Sequence, residues 1–419
     1  MEDKMMPYSD VLIVGSGHGG AQAAIALRQQ GFSGSIRIAT EEADFPYERP
    51  PLSKEYLSRE KSFDRILIRP ERFWIDKAIE FHFGHSIERI DPEKRIAYDT
   101  NGHVWAFGQM IWAAGGRARR LSCEGADLAG VHTIRTRNDA DRLESELTDT
   151  KRVVIVGGGF IGLEAAAVLA KFGKDVTVIE SQDRILARVA AEPISTFFEM
   201  KHRQHGVKFI FQTGVAELAG QGGRVIGVRL DDGRLIQADL VVVGIGLEPS
   251  VEPLLAAGAC GGNGVEVDEF CRTSLPNIYA IGDCAAHSNN FGDGRILRIE
   301  SVQNATDQAT IAARHIAGQG EPYAAVPWFW SNQYDLKLQT VGLNIGYDRV
   351  VLRGAPSENS FTIIYLREGK VAALDCVNAV SDYVQGKALV LKQVEVCPEA
   401  LADKTQPLKS MLLAQPLQS

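Results

Sequence analysis

Short apolar runs with no polar interruption punctuate this chain, and stretches of small residues separate them. Val11-Leu12-Ile13-Val14 and Val153-Val154-Ile155-Val156 each read as a strand buried on both faces, as in a parallel sheet. A glycine cluster follows each run, and an Ala-rich helical stretch follows each cluster, at residues 21–30 and 163–172. A second strand closes each unit, Ile36-Arg37-Ile38-Ala39 in one and Val176-Thr177-Val178-Ile179 in the other. This strand, glycine loop, helix and strand, occurring twice, predicts an α/β protein with two Rossmann-like dinucleotide-binding domains.

Elsewhere the pattern changes. Phe45-Pro46-Tyr47-Glu48-Arg49-Pro50-Pro51-Leu52-Ser53-Lys54 is a loop stiffened by prolines, suited to holding side chains against a ligand. Residues 225–230 and 235–240, flanking Asp231-Asp232-Gly233, predict a hairpin. Ile278-Tyr279-Ala280-Ile281-Gly282-Asp283 predicts a strand ending in an acid, and residues 302–317 a helix of small residues. From residue 326 aromatics and alternating strands take over: Trp328-Phe329-Trp330, then 337–342, 361–366 and 371–377. The expected domains are residues 1–115 with 246–325, then 116–245, then a C-terminal α+β domain at 326–419.

The glycine loops carry the chemistry. They are Gly15-Ser16-Gly17-His18-Gly19-Gly20 and Gly157-Gly158-Gly159-Phe160-Ile161-Gly162. In such a loop the first glycine permits a tight turn, the second lets backbone approach a pyrophosphate, and the third lets helix and strand pack closely. The helix N-terminus then offers N–H groups and partial positive charge to the phosphates. An acid about 20 residues on takes a ribose hydroxyl. Glu180 fills that place in the second unit, and Glu41 or Glu42 in the first. A chain with two dinucleotide sites moves electrons between them.

Composition narrows the picture. The length of 419 residues and 45% hydrophobic content suit two or three globular domains. No apolar run reaches about 18 residues, and no apolar signal core precedes the first strand, so no membrane association and a cytoplasmic location are expected. A net charge of −8 argues against nucleic acid as a partner. The pattern specifies no oligomeric state. Cys123, Cys260, Cys271, Cys284, Cys376 and Cys397 include no C-x-x-C, so neither a metal site nor a dithiol redox pair has its usual spacing.

Several of these segments together resemble the NADH-dependent ferredoxin reductases that serve bacterial Rieske dioxygenases and cytochromes P450. These are FAD-dependent pyridine nucleotide oxidoreductases of the glutathione-reductase fold. The resemblance covers essentially the whole chain. It is carried by 47–54, 157–164, 273–284, Arg298-Ile299-Glu300-Ser301-Val302 and Phe329-Trp330-Ser331. It implies that Gly15, Ser16, Gly17, His18 and Gly20, with Glu41 and Glu42, hold the FAD pyrophosphate and ribose. Arg49 and Lys54 would reach the pyrophosphate and flavin, and Ile87 the adenine through its backbone. Arg135 would be a further FAD contact, Asp283 would bind the ribityl chain, and Val302 and Trp330 would pack near the isoalloxazine. For NADH the matching positions are Gly157, Gly159, Gly162, Glu164, Glu180, Gly246 and Glu300. Ala113-Ala114-Gly115 departs from the family's usual Ala-Thr-Gly.

The same resemblance implies hydride transfer from nicotinamide to flavin, which needs orientation and no general acid or base. Lys54, paired with Glu164, would stabilise the reduced ring. Glu180 would select NADH by repelling a 2′-phosphate. Relatives of this fold that reduce disulfides or peroxides keep cysteines early in the chain, whereas none precedes Cys123 here. Electrons would therefore leave the flavin directly, to an acidic [2Fe–2S] ferredoxin that supplies an oxygenase. Two alternatives stay open: a rubredoxin or quinone reductase, and an NADH-responsive signalling flavoprotein of the apoptosis-inducing-factor kind.

Overall fold

A computed structural model describes residues 4–412. Residues 1–3 and 413–419, the extreme ends of the first and third expected domains, lie outside the described residues, as does the beginning of the segment read for a signal core.

The described chain divides into two compact units. The first comprises the residues up to Glu48, Ser62–Arg117 and Glu248–Pro327. Its strands Ile79–Phe83, Ile36–Thr40, Ser9–Val14 and His103–Trp112 lie side by side in that order, all parallel, and Ile278–Ala280 pairs with the last of them. The strand holding the uninterrupted run Val11-Leu12-Ile13-Val14 faces two cores. Val11 and Ile13 enter one with the helices His18–Gln29 and Val302–Ile316, whose alanines allow close packing. Leu12 and Val14 enter the other, with Phe107, Trp112, Leu254 and Val265. Burial on both faces explains why the run has no polar residue. The strand Ile278–Ala280 stops short of Asp283, which lies in a 3₁₀ turn at Gly282–Cys284.

The second unit comprises Arg49–Lys61, Ala118–Leu247 and the residues from Trp328 onward. Its parallel sheet runs Lys208–Phe211, Asp175–Glu180, Arg152–Val156, Leu240–Val243, Val131–His132. The expected hairpin is shorter than its sequence suggests. Of the expected second arm only Leu235–Gln237 pairs with Arg224–Leu230, whose other neighbour is Val215–Gln221, and Leu240–Val243 pairs parallel with Arg152–Val156 instead. Leu240 to Val243 are all buried, so they read as a parallel-sheet strand and not as the outer arm of a hairpin.

The C-terminal part is an antiparallel sheet in the order Trp328–Gln333, Leu336–Gly342, Lys370–Val377, Ser360–Arg367, Arg349–Ala355, covered by the helix Val380–Leu391. The edge strand Arg349–Ala355 escapes the hydrophobic pattern because its centre buries a charge. Arg353 is 3% exposed and donates to Asp382 and to the carbonyls of Leu401, Asp403 and Gln406.

Contacts group the chain differently from the sequence-based division. One core joins Leu163, Ile194, Phe197 and Phe198 to Leu338, Phe361 and Ile363, so the residues expected as second and third domains share their interior. The loop Arg49–Lys61, expected with the first domain, belongs to this second unit. Its turn Pro50–Ser53 packs on the helix Phe160–Lys171, Tyr56 donates to Asp141 at 2.6 Å, and Glu60 pairs with Lys171 at 2.7 Å.

Candidate functional site

In the first unit the loop after Ser9–Val14 is built for glycine. Gly15 has φ +98°, and a Cβ there would stand 2.5 Å from the Ala113 carbonyl oxygen. A Cβ on Gly20 would stand 1.9 Å from the Gly15 carbonyl oxygen. Gly17 caps the helix His18–Gln29 with extended backbone and no side-chain cap, and no acid occupies the first turn. That is the donor arrangement a pyrophosphate requires.

The neighbouring strand ends converge on the same edge. Ser16 Oγ meets Thr40 Oγ1 at 2.8 Å, and Gly15 N–H donates to the Ala39 carbonyl. Glu41 is exposed just beyond that strand, while Glu42 accepts from the Tyr47 hydroxyl. His85 N–H donates to the Thr40 carbonyl, leading into Ile87, which is buried at the start of Ile87–Asp91. Ile281 N–H donates to the Trp112 carbonyl, which brings the Asp283 turn to this edge. Arg298 holds that turn through the Asp283 carbonyl at 2.9 Å and pairs with Glu300 at 2.7 Å. Ser301 caps the helix that begins at Val302. Carboxyl ends of parallel strands are where such sheets bind ligands.

The second unit repeats the device. Gly157 has φ +107°, with a Cβ position 2.3 Å from the Gly244 carbonyl oxygen, and Gly162 would bring a Cβ 2.2 Å from the Gly157 carbonyl oxygen. A Cβ on Gly159 would meet nothing within 4 Å, so this side of the loop faces open space. Glu180 ends its strand with both oxygens engaged: Oε2 accepts from Gly158 N–H at 2.7 Å and Oε1 from Gln182 N–H at 2.9 Å. The carboxylate is therefore fixed against the phosphate loop. Gly246, at φ +104°, is exposed beyond Leu240–Val243. Arg135 follows Val131–His132, and its carbonyl accepts from Arg49 Nη1 at 2.8 Å, so two candidate FAD contacts 86 positions apart are brought together.

Glu164 is a buried carboxylate, 4% exposed on the helix Phe160–Lys171. Its Oε2 accepts from Lys54 Nζ and from Ser53 Oγ, each at 2.6 Å. Its Oε1 accepts from Ser331 Oγ at 2.7 Å. Sequence reasoning reached Lys54 and Glu164 and missed the two serines as partners. The signal was present: Ser331 and Gln333 stand two apart on one strand, so they share a face, and both are buried. Trp330, on the other face of that strand, is partly exposed, with Trp328 at 5.5 Å between ring centroids.

Two other constellations have structural work. All six cysteines are among the described residues and are free. Cys284, beside Asp283, is fully buried, and burial pushes its thiol up to about 12. Among the described residues, His85, Asp99 and His103 are the one group with metal-ligand spacing. The Asp99 oxygens already accept from the Asn101 and His103 N–H groups, the Trp105 indole and His85, which fills the carboxylate's acceptor positions. Asp99 closes a β-turn.

Two parallel sheets, each with an uncapped helix behind a glycine loop, define a protein that binds two dinucleotides. The chain belongs to the pyridine nucleotide-disulphide oxidoreductase family, whose pattern matches residues 9–309, and a reductase C-terminal domain matches 328–412. FAD and a nicotinamide dinucleotide are its cofactors. It is 57% identical to a ferredoxin–NAD(P)(+) reductase of a Sphingomonas species, over 98% of this chain and 99% of that protein. It is 55% identical to the 5,5′-dehydrodivanillate O-demethylase ferredoxin reductase subunit of a Sphingobium species, over 98% of this chain and all of that one, 100%. Its fold matches the covalent putidaredoxin reductase–putidaredoxin complex with a TM-score of 0.94 and 35% identity, covering 97% of this chain and 98% of that chain.

Proposed function

We propose that the protein is an FAD-dependent NADH–ferredoxin reductase whose acceptor is an acidic [2Fe–2S] ferredoxin supplying an oxygenase. The observation that carries this reading is the combination of two phosphate loops with six cysteines none of which pairs. A dithiol exit for electrons is missing, so they leave the flavin directly, and the reading assigns them to a docked protein. The names of the similar proteins, one a subunit of an O-demethylase and one solved with its protein partner, support the same conclusion. No helix among the described residues is long and apolar enough to cross a membrane. A cytoplasmic setting follows from where NADH is regenerated.

In this reading Gly15, Gly17 and Gly20 cradle the FAD pyrophosphate, Glu41 and Glu42 hold its ribose, Arg49 reaches the pyrophosphate, and Arg135 is a further FAD contact. Asp283 takes the ribityl chain, Ile87 the adenine, and Val302 and Trp330 wall the ring. Gly157, Gly159 and Gly162 cradle NADH, Glu180 takes its ribose, and Gly246 and Glu300 flank it. Bound FAD supplies the exchange between a two-electron donor and a one-electron acceptor. The protein's own contribution is placement: Lys54 sets a positive charge at the ring, and Glu164 holds Lys54 there.

The deciding experiment is NADH-dependent reduction of cytochrome c with and without added [2Fe–2S] ferredoxin. Turnover that requires the ferredoxin supports the proposal. Equal turnover with rubredoxin or a quinone alone favours the alternative acceptors, and no turnover with any of them favours a signalling flavoprotein.

A further inference from the structure

Glu164 is the end of a longer chain of buried polar groups within the second unit. Ser331 Oγ also meets Gln333 Nε2 at 3.2 Å, Gln333 Oε1 meets His202 Nε2 at 2.8 Å, and His202 Nδ1 meets the Tyr334 hydroxyl at 3.0 Å. Ser331, Gln333 and His202 are at most 1% exposed.

The direction of every bond follows from the carboxylate. A carboxylate only accepts, so Ser331 must spend its single proton on Glu164. Its oxygen can then only accept from Gln333, which must present its NH₂ group there. That turns the Gln333 carbonyl toward His202, which must donate from Nε2 and accept at Nδ1 from Tyr334. A charged imidazolium could not accept at Nδ1. The ring's burial agrees: it lowers the His202 pKa to about 4, so the ring is neutral.

The backbone also bears on the chain. Gln333 pairs with Leu336 across a two-residue hairpin turn, and Tyr334 in that turn has φ +55°. Glycine, asparagine or aspartate is the usual occupant of such a position. Here a tyrosine is held in the strained conformation, with its hydroxyl on His202 and its ring stacked 3.7 Å from His205.

We propose that Tyr334, His202, Gln333 and Ser331 form a one-way donor relay that positions Glu164 and, through it, the Lys54 ammonium. The relay fixes Oε1 from one side while Ser53 and Lys54 occupy Oε2 on the other, so the carboxylate cannot swing. His202 and Gln333 are positioning residues: they touch neither nucleotide loop and act on the flavin only through Glu164 and Lys54. The proposal rests on the reading that Lys54 lies at the flavin.

The test is the midpoint potential of bound FAD, measured by dye equilibration, with FAD content and thermal midpoint as folding controls. Gln333→Leu and His202→Leu should shift the potential negative by about 30 mV, equivalent to tenfold for a two-electron couple. Gln333→Glu, similar in shape, should do the same, because an acceptor at that point draws the Ser331 proton away from Glu164. His202→Gln, which keeps an N–H donor where Nε2 stands, should restore the wild-type value. In a Lys54→Met background Gln333→Leu should add nothing, as non-additivity requires for groups acting in series.

If Lys54→Met moves the potential while the Gln333 and His202 variants leave it in place, the relay is refuted and the Lys54 reading stands. A Gln333→Leu shift that persists undiminished without Lys54 marks a merely structural effect and refutes the relay too. A potential indifferent to Lys54→Met overturns the underlying reading and the relay with it.

Discussion

Glu180 is the residue expected to decide between NADH and NADPH. Its carboxylate is pinned by Gly158 N–H at 2.7 Å and Gln182 N–H at 2.9 Å, so it cannot rotate away from an approaching 2′-phosphate. Two unit charges 4 Å apart interact by about 4 kcal/mol at an effective dielectric near 20. Glu180 is only half-buried, and solvent and salt reduce that figure. A penalty of about 1–3 kcal/mol against NADPH follows, or roughly 5–150-fold in kcat/KM. Two substitutions separate charge from support. Glu180→Gln keeps an oxygen for the backbone donors and removes the charge, so the preference should narrow with little loss toward NADH. Glu180→Ala should narrow it as well, but should also weaken NADH by leaving the Gly158 and Gln182 N–H groups without this acceptor. Steady-state kinetics with both nucleotides and a saturating acceptor measure each ratio. Equal efficiency in the wild type, or a Gln variant with an unchanged ratio, would refute the electrostatic argument.

Three other outcomes are expected. The purified protein should be yellow and release one FAD per chain on denaturation; FMN or no flavin in the released pigment would contradict the assignment of the first glycine loop. With the acidic ferredoxin proposed above, ferredoxin-dependent turnover should fall as salt rises, because steering acts over a Debye length of about 8 Å, while stopped-flow bleaching of the flavin by NADH should change little; equal insensitivity of both steps would show that docking is not electrostatic. The third concerns Asp375, which is buried beneath the Tyr365 hydroxyl, and burial pushes its carboxyl up to about 7. The native state thus keeps a proton that the unfolded chain loses near pH 4, so this contribution to stability is complete below about pH 4 and fades as pH rises through 7. Urea midpoints compared between wild type and Asp375→Asn should move in the variant's favour from pH 5 to pH 8, and a constant difference would be the refuting result.

The basic residues available to such a partner are fewer than composition suggests. Arg298 carries a charge beside the Asp283 turn, yet its guanidinium is committed to Glu300 and the Asp283 carbonyl, and only 10% of its side chain is exposed. A surface arginine and an arginine that holds a turn through its carbonyl look identical in sequence. Charge reversal at Arg298 would therefore disturb the Asp283 turn as well as any docking patch, and Lys337, which is exposed, is the cleaner substitution for the salt experiment.

What was readable in the sequence was what repeats with a short period. The two glycine loops, the apolar runs before them and Glu180 stand within one strand–helix–strand unit each, so their geometry is set by local chain spacing. The strand Arg349–Ala355 was hidden because Arg353 interrupts its apolar face. The end of the hairpin was misread because Leu235–Gln237 and Leu240–Val243 look alike until their partners are known. The setting of Glu164 was least readable, since its partners come from Ser53, 111 positions away, and Ser331, 167 positions away. A buried carboxylate must satisfy both oxygens, and nothing in a local window says which serines will do it. The same requirement makes the site informative once it is folded. Each donor on Glu164 is spoken for, so altering any one of them obliges the others to rearrange, and Lys54 is the only member of the group that carries a compensating charge. Substitutions at Ser53, Ser331 and Gln333 should for that reason converge on a common phenotype in flavin potential, although they lie on a loop and on a strand far apart in the chain.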